Sequence, residues 1–395
     1  MSDDDLLDEE GNEMGHIERL ARSDLAKAAA LMGRKQARYL VGMYYNQQDV
    51  RKIADSQAEA DKLAKEPNVC VSWLAESTAA TEITIQKALG IFARQYTVGR
   101  WLQSIVGIGP VISAGLLAHF DIRRARFAGS YWSFAGLNPD RKWIGKEGAT
   151  SVMGQVVGPR GKAEPHHLRE IVQQIKGSAA LEQRLLQCET RAEQTSELAR
   201  RPWSDSLHVL MWKVGESFVK LKNNDKAYYA QLFFEHKAAE WKRNLSGANT
   251  EECQRILTEK DFSRETVSKR WYKGEFRPDV VVEWLAKEDR GLSPPSEKGV
   301  AGVPMLPPAH VHARARRATV KFLLSHLFDV SWMDYYGTPA PEPYAFSKLG
   351  HEHKHLLVPP NWPMKQPKKP WKSLKDLLDG DGPDQPKAAT SSPPE

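Results

Sequence analysis

The sequence predicts an all-α fold, and two observations lead to that prediction. Apolar residues recur at three- and four-residue steps along most of the chain, beginning with Ile17, Leu20, Ala21, Leu25 and Ala28. The alternating apolar pattern of half-buried strands is almost absent. With 395 residues, of which 41% are apolar, the chain is long enough for two or three domains with a sizeable core.

The first hundred residues predict a helical region behind an acidic head. Residues 1–15 are interpreted as a disordered acidic head, and residues 16–95 as the N-terminal helical region. Within it, residues 16–66 form an amphipathic helix, or two that break near Gly42, and a further helix covers Ser77 to Tyr96. Their apolar stripes are more typical of a core than of an interface between subunits. Assembly into a homo-oligomer through these stripes is the alternative.

Residues 96–143 contain the most informative stretch, Ile105 to Phe120. Gly107 and Gly109 flank Ile108, and Pro110 and Val111 follow at once. Glycine tolerates tight turns, and proline suits the first position of a helix. The stretch therefore predicts a helix-hairpin-helix whose free backbone N–H groups would bind a phosphate of DNA. The alternative is an ordinary Gly-Pro turn before a buried helix.

The remaining elements are mostly helices. Residues 144–200 look inserted, with a Gly-rich loop over Gly145–Gly161 and then a polar helical run. Residues 201–362 form a C-terminal helical region, in which Ser204 is expected to cap a helix that runs through Val219. Residues 363–395 are expected to be a disordered tail with one short helix near Trp371–Leu378.

Charge favours a polyanionic partner. Net charge is +6, but residues 1–13 hold seven acids and no base; the rest has 56 basic and 43 acidic residues, a net charge of +13. Three scattered cysteines fit a reducing, cytoplasmic setting, and no apolar run is long enough to cross a membrane, so no membrane partner is expected.

Basic residues extend the predicted phosphate contacts beyond the hairpin. Three arginines follow its second helix, three more lie within one helical turn near residue 315, and Lys213 lies on the long helix after Ser204. They would line a groove that follows phosphates, unless they form a solvated charged face. The candidate DNA-binding residues are Gly107, Ile108, Gly109, Pro110, Val111, Arg123, Arg124, Arg126, Lys213, Arg314, Arg316 and Arg317.

Three segments together resemble a known family. The hairpin GIGPVISAGLLAHF is followed by AGLNP and later by RRPWSDSLHVLMWKVGESFVK. This arrangement resembles the C-terminal domain of insertion-sequence 110-type transposases (the 116/110/902 group). The segment HARARRATVKFLLSHLFDVSW looks like the ending of phage- and mobile-element-borne relatives of that group. The resemblance covers a third to a half of the chain and implies DNA binding in transposition and recombination.

The chain also departs from that family. Full members resemble a fusion with an N-terminal RuvC-like domain, whose four metal-binding carboxylates lie on a β-sheet. Residues 1–95 here predict helices, and their acids are interpreted as solvated, namely Asp49, Asp55, Glu59, Asp61 and Glu82. Where the family has a nucleophilic Ser-Gly, this chain has Ile144-Gly145, and Ser151 is only a conceivable substitute. Catalytic residues are therefore unknown, and no cofactor is evident, with Mg²⁺ needed only if the chain is a nuclease.

Two other patterns, a group of histidines and a Ser-His pair, do not indicate a metal site or a catalytic triad. The histidines at 310, 312, 351, 353 and 355 have no cysteine among them and are interpreted as packing groups, so no metal site is predicted. Ser325 and His326 are adjacent on a helix and cannot face each other, so they form no triad with Asp329.

The expected function follows from the hairpin and its basic surroundings. We expect a protein that binds double-stranded DNA, with structured RNA as an alternative polyanion, because the family works with a guide RNA. The alternative is a catalytically inactive nucleic-acid-binding accessory protein or a structural scaffold protein of a phage or mobile element. A scaffold would need no basic stripe beside the hairpin.

Overall fold

The computed structural model describes residues 24–139, 143–260, 262, 264–287, 294, 302–341, 358–368 and 370–380. Over these residues the chain forms seventeen α-helices and no β-strand, so the all-α prediction is confirmed. None of the helices in these ranges is both long and apolar enough to cross a membrane. The predicted acidic head and the last residues of the predicted tail lie outside the described ranges.

The chain divides into two compact units, Met1–Trp212 with Leu324–Glu395, and Lys213–Leu323. The two boundaries fall within α11 (Asp205–Val219) and α16 (Pro308–Tyr336). The other helices of the first unit are α1 (Leu25–Ala30), α2 (Arg34–Leu63), α3 (Val69–Arg94), α4 (Thr97–Ser104), α5 (Pro110–His119), α6 (Ala128–Phe134), α7 (Gly145–Val157), α8 (Pro165–Gln174), α9 (Ala179–Gln187), α10 (Arg191–Ala199) and α17 (Leu374–Gly380). The second unit adds α12 (Tyr228–Leu245), α13 (Thr250–Glu259), α14 (Val267–Lys273) and α15 (Pro278–Ala286).

The first unit is built around α5. Seven of its ten residues are buried, and they include the small residues Ser113, Ala114, Gly115 and Ala118. Small side chains let other helices approach closely, and a Cβ at Gly115 would lie 2.7 Å from Leu210 and 3.6 Å from Val41. Helices α2, α3 and α4 all pack against α5. The hairpin that α5 completes is therefore part of the core.

The N-terminal helices differ from the sequence prediction in two ways. Helix α2 continues through Gly42, so the predicted break is wrong. Gly42 lies on the exposed side of the helix, and a Cβ there would meet no atom within 4 Å, so no tertiary contact interrupts the helix. The interpretation of Glu82 as solvated is also wrong. Its carboxylate is buried and accepts a hydrogen bond from Nε of Arg51 at 2.6 Å. Burial alone would raise the pKa of Glu82, but bonds from Arg51, Tyr44 and Gln48 outweigh it and lower that pKa.

Residues 144–200 form a small four-helix body. The predicted loop over Gly145–Gly161 is wrong for most of its length, because residues 145–157 form α7. Ala149 and Met153 on α7 are fully buried against residues of α8, α9 and α10, and this packing overrides the low helix propensity of glycine. The indole Nε1 of Trp143 donates to the carbonyl of Ala199 at 2.7 Å, which ties the two ends of the body together.

The second unit has its own core, rich in aromatic residues. Trp241, Trp271, Phe276 and Trp284 pack there with Cys253 and Met305. Buried Asn244 accepts from the backbone N–H of Leu306 at 2.8 Å and donates to its carbonyl at 2.9 Å.

The C-terminal segment is attached to the first unit. The short helix predicted near Trp371–Leu378 is confirmed as α17, and its three leucines are buried. The backbone of Lys372 donates to Gln95 and accepts from Thr97, both at 2.9 Å. Asn361 donates to the carbonyl of Ser104 at 3.0 Å. Two parts of this segment therefore contact α4, the first helix of the hairpin.

Candidate nucleic-acid interface

The hairpin turn presents the start of α5 at the surface. Gly107 has φ of 103°, a left-handed conformation that glycine adopts without strain. The N–H of Ile108 donates to the carbonyl of Ile105 at 3.0 Å, and the Ile108 side chain is buried, which anchors the turn in the core. Gly109 is the exposed N-cap residue of α5, and Pro110 occupies the first helical position as predicted.

The first turn of α5 is suited to an anion. The N–H groups of Val111 and Ile112 belong to the first turn of a helix, where no intrahelical carbonyl reaches them. They carry the positive end of the helix dipole, and no acidic residue lies in this turn. A Cβ placed on Gly109 would meet no atom within 4 Å, so space is open in front of the turn.

The hairpin is braced by polar contacts at both ends. Gln103 on α4 donates to the hydroxyl of Ser113 on α5 at 3.0 Å, and that hydroxyl donates to the carbonyl of Pro110. At the other end of α5, buried Arg34 donates to the carbonyls of Ala118 and Phe120 at 3.2 and 3.0 Å. These bonds fix the orientation of α5 and hence the direction of its N-terminus.

Two segments that carried the family resemblance meet in space. Gly136 of the AGLNP segment has φ of 70°, and a Cβ there would lie 2.7 Å from the ring of Trp203. The N–H of Ser204 donates to the carbonyl of Phe134 at 3.1 Å. The Nδ1 of His208 lies 3.0 Å from the carbonyl of Ala135. Ser204 also accepts from the N–H of Leu207 at 3.4 Å, which confirms it as the cap of α11.

The three arginines after the hairpin are placed in the same unit as the hairpin, and all are exposed. Arg123 forms two hydrogen bonds with Asp121, at 3.0 and 2.8 Å, and an ion pair with Asp379 at 3.2 Å. Its guanidinium also donates to the carbonyl of Leu378, so Arg123 holds α17 in place. Arg124 lines a cavity described below, and Arg126 is exposed beside Phe127.

The other predicted basic residues belong to the second unit. Arg314 bonds to Glu252 at 2.6 Å and to Glu240 at 3.2 Å, and Arg316 pairs with Glu216. These two arginines therefore also stabilise their own unit. Arg317 lies on α16, where partial desolvation together with the charges of Arg314 and Arg316 lowers its pKa. Lys213 is partly buried on α11.

The structure also describes some of the serine and histidine residues that the sequence analysis weighed. Ser151 is exposed on α7, where its hydroxyl accepts from Gln155 at 3.4 Å. His326 is buried in α16. Residues 342–357, with His351, His353 and His355, lie outside the described residues. Among the described residues, no three His, Cys, Asp or Glu side chains are grouped so that they could hold a metal ion.

The sequence reasoning missed a second basic cluster in the first unit. Lys176, Arg184, Arg200 and Arg201 line one cavity together with Arg124. The paired arginines before Pro202 were a visible signal, but the other residues are separated by many positions. No family model, no curated protein and no solved structure matches this chain.

Proposed function

We propose that this chain binds nucleic acid through the hairpin turn, with double-stranded DNA as its partner. The observation that carries the proposal is the exposed Gly109 at the N-terminus of α5, a helix in which seven of ten residues are buried. Space for a phosphate is open at Gly109, and the N–H groups of Val111 and Ile112 follow it in the first turn of the helix. Backbone capture of this kind is independent of base sequence.

A role in transposition or recombination of a mobile element rests on the resemblance to insertion-sequence 110-type transposases. The contacts of Trp203 with Gly136 and of His208 with Ala135 support it, because two of the resembling segments pack against each other. The proposal assigns no catalytic residue. Incubation with Mg²⁺ and supercoiled plasmid distinguishes an enzyme, which nicks the plasmid, from a protein that only binds it. Loss of nicking in Ser151→Ala would identify Ser151 on α7 as the residue that cleaves DNA.

The test of DNA binding uses substitutions of Gly109, because this position accepts any side chain. Its φ of −86° and ψ of −179° are ordinary extended values. We expect Gly109→Glu to weaken binding to a duplex about tenfold, since a carboxylate would repel the phosphate. Gly109→Lys should bind at least as tightly as the natural protein, and Gly109→Ala should change binding little. Fluorescence anisotropy with a labelled duplex measures all three.

Salt dependence provides the second measurement. Binding through phosphates releases counterions, so the logarithm of the affinity should fall linearly with the logarithm of salt concentration. Thermal unfolding of each variant checks that the fold is intact. Equal duplex affinity of Gly109→Glu and Gly109→Lys, in folded proteins, would reject the hairpin as the contact. A folded RNA as competitor decides between duplex DNA and structured RNA.

A structural scaffold is the second candidate function. It is favoured by Arg123, Arg314 and Arg316, which form ion pairs with carboxylates of their own chain. If the chain is a scaffold, its affinity for a duplex should be weak, and neither Gly109→Glu nor Gly109→Lys should change it.

A further inference from the structure

A cationic cleft lies in the first unit, apart from the hairpin turn. It has a volume of about 770 Å³, which is typical of sites for small ligands. Its walls come from the segment after the hairpin, from the turn between α8 and α9, and from residues 197–204. Five cationic side chains line it against a single acid, namely Arg124, Lys176, Arg184, Arg200, Arg201 and Glu197.

The single acid, Glu197, accepts hydrogen bonds from two of these arginines. Glu197 accepts from Nε of Arg184 at 2.5 Å and from Nη1 of Arg200 at 3.0 Å. Burial would raise the pKa of Glu197, but these bonds outweigh it and hold the pKa below its usual value. A guanidinium has five N–H donors, and the side chains of Arg184 and Arg200 are 51% and 72% exposed. Both arginines can therefore bind a second anion while they hold Glu197.

Lys176 occupies a backbone position that usually belongs to glycine. Its φ is 51°, and it follows the end of α8, where the N–H of Gly177 donates to the carbonyl of Val172 at 2.7 Å. The N–H of Lys176 donates to Gln173 at 3.1 Å, which completes a Schellman motif. A side chain is unfavourable in this conformation, yet the chain has a lysine there, and Lys176 lines the cleft.

Aromatic groups complete the lining. Phe134 is 44% exposed and touches Phe120 only edge-on, with ring centroids 6.1 Å apart. Trp203 is held in place by its contact with Gly136. An exposed ring beside several cations is the combination that binds nucleotides, because bases stack on the ring and phosphates pair with the cations.

We propose that this cleft binds a nucleotide, with its phosphate at Lys176, Arg184 and Arg200 and its base against Phe134. The site is separate from the hairpin and does not need the hairpin to hold a duplex. A free nucleotide and an unpaired nucleotide within a strand offer the same chemistry, so the experiment must separate these two sources.

The experiment uses the full chain and two probes: ATP without Mg²⁺, and a short fluorescein-labelled oligothymidine. Lys176→Gly removes the cation and suits the left-handed backbone, so stability should not fall. We expect it to weaken binding about fivefold or more. Phe134→Leu keeps an apolar side chain and should weaken binding about tenfold, since it removes the stacking surface. Arg169→Gln is the matched control, because Arg169 is an exposed cation on α8 that does not line the cleft.

The outcomes separate the sources. Binding of ATP, and its displacement of the oligonucleotide, supports a site open to both. Binding of the oligonucleotide alone, weakened in both variants, supports an unpaired strand. Binding of neither probe overturns the proposal, as does equal binding by the natural protein, Lys176→Gly and Phe134→Leu. Arg169→Gln should leave the binding of both probes unchanged. The hairpin is tested separately by the duplex affinity of the Gly109 variants, so failure of the cleft is distinguishable from failure of the hairpin.

Discussion

At the residue scale, two helical glycines differ in what a methyl group would meet. A Cβ on Gly99 would lie 2.0 Å from the carbonyl oxygen of Ala93 and 2.7 Å from Leu117, whereas a Cβ on Gly42 would meet no atom within 4 Å. We expect Gly99→Ala to lower the free energy of unfolding by about 2 kcal/mol or more, because the clash is with backbone. Gly42→Ala should raise it by about 0.5–1 kcal/mol through higher helix propensity.

Urea unfolding of both glycine variants measures this contrast, with the natural protein as reference. Equal stability of the two variants would contradict the close approach of α4 to the end of α3. The sequence does not separate these positions, since the apolar pattern predicts a break near Gly42 and nothing local distinguishes Gly99. The difference comes from tertiary contacts, which a local propensity does not contain.

At the element scale, helices with a long apolar period were predictable and their docking was not. Helices α5, α11 and α16 follow from apolar spacing and from terminal residues such as Pro110 and Ser204. Helix α7 was missed because its glycines favour a loop, and its burial depends on three helices that come later in the chain. The attachment of α17 depends on backbone hydrogen bonds of Lys372 with Gln95 and Thr97. No local sequence pattern predicts these bonds, because the partners are far apart in the chain.

The docking of α17 can be tested with one leucine. Leu377 is buried, so Leu377→Asp should detach α17 and lower the free energy of unfolding by about 2–4 kcal/mol. Hydrogen exchange should quicken at the N–H of Thr97, which donates to Lys372. Leu186→Asp is the control, because Leu186 is 46% exposed on α9 and should leave that exchange unchanged. Slow exchange at Thr97 in Leu377→Asp would show that α17 does not hold this segment.

At the scale of the whole molecule, the two candidate sites were not equally visible in the sequence. The hairpin lies within five consecutive residues, so its glycines and proline were sufficient to predict it. The cleft joins residues between Arg124 and Ser204, and only the folding of helices α7 to α10 brings them together. Arg123 and Arg314 were predicted to contact phosphate, yet both form ion pairs within the chain. Composition cannot tell whether a cation faces a partner or a carboxylate of its own chain.

Global stability should depend on pH through two partly buried groups of the first unit with opposite effects. Burial raises the pKa of Asp329 to about 7, and the folded state therefore holds an extra proton that the unfolded chain loses above about pH 4. Stability from this group falls as pH rises from about 4 to 7. Burial, with the charges of Arg38 and Arg34, lowers the pKa of His119 to about 4. Its contribution is present above about pH 6.5 and is lost as pH falls towards 4.

Above pH 7 His119 is neutral in both states, whereas Asp329 is ionised at a cost in the folded state, so replacing Asp329 isolates that cost. We expect Asp329→Asn to raise the free energy of unfolding by about 2–4 kcal/mol at pH 8 and to have little effect at pH 4. Thermal unfolding across that pH range measures the change. Asp49→Asn is the control, since Asp49 is exposed on α2 and should shift stability little at either pH. An equal gain at both pH values would mean that the change comes from packing, because a proton linkage must vanish where both states of Asp329 are protonated.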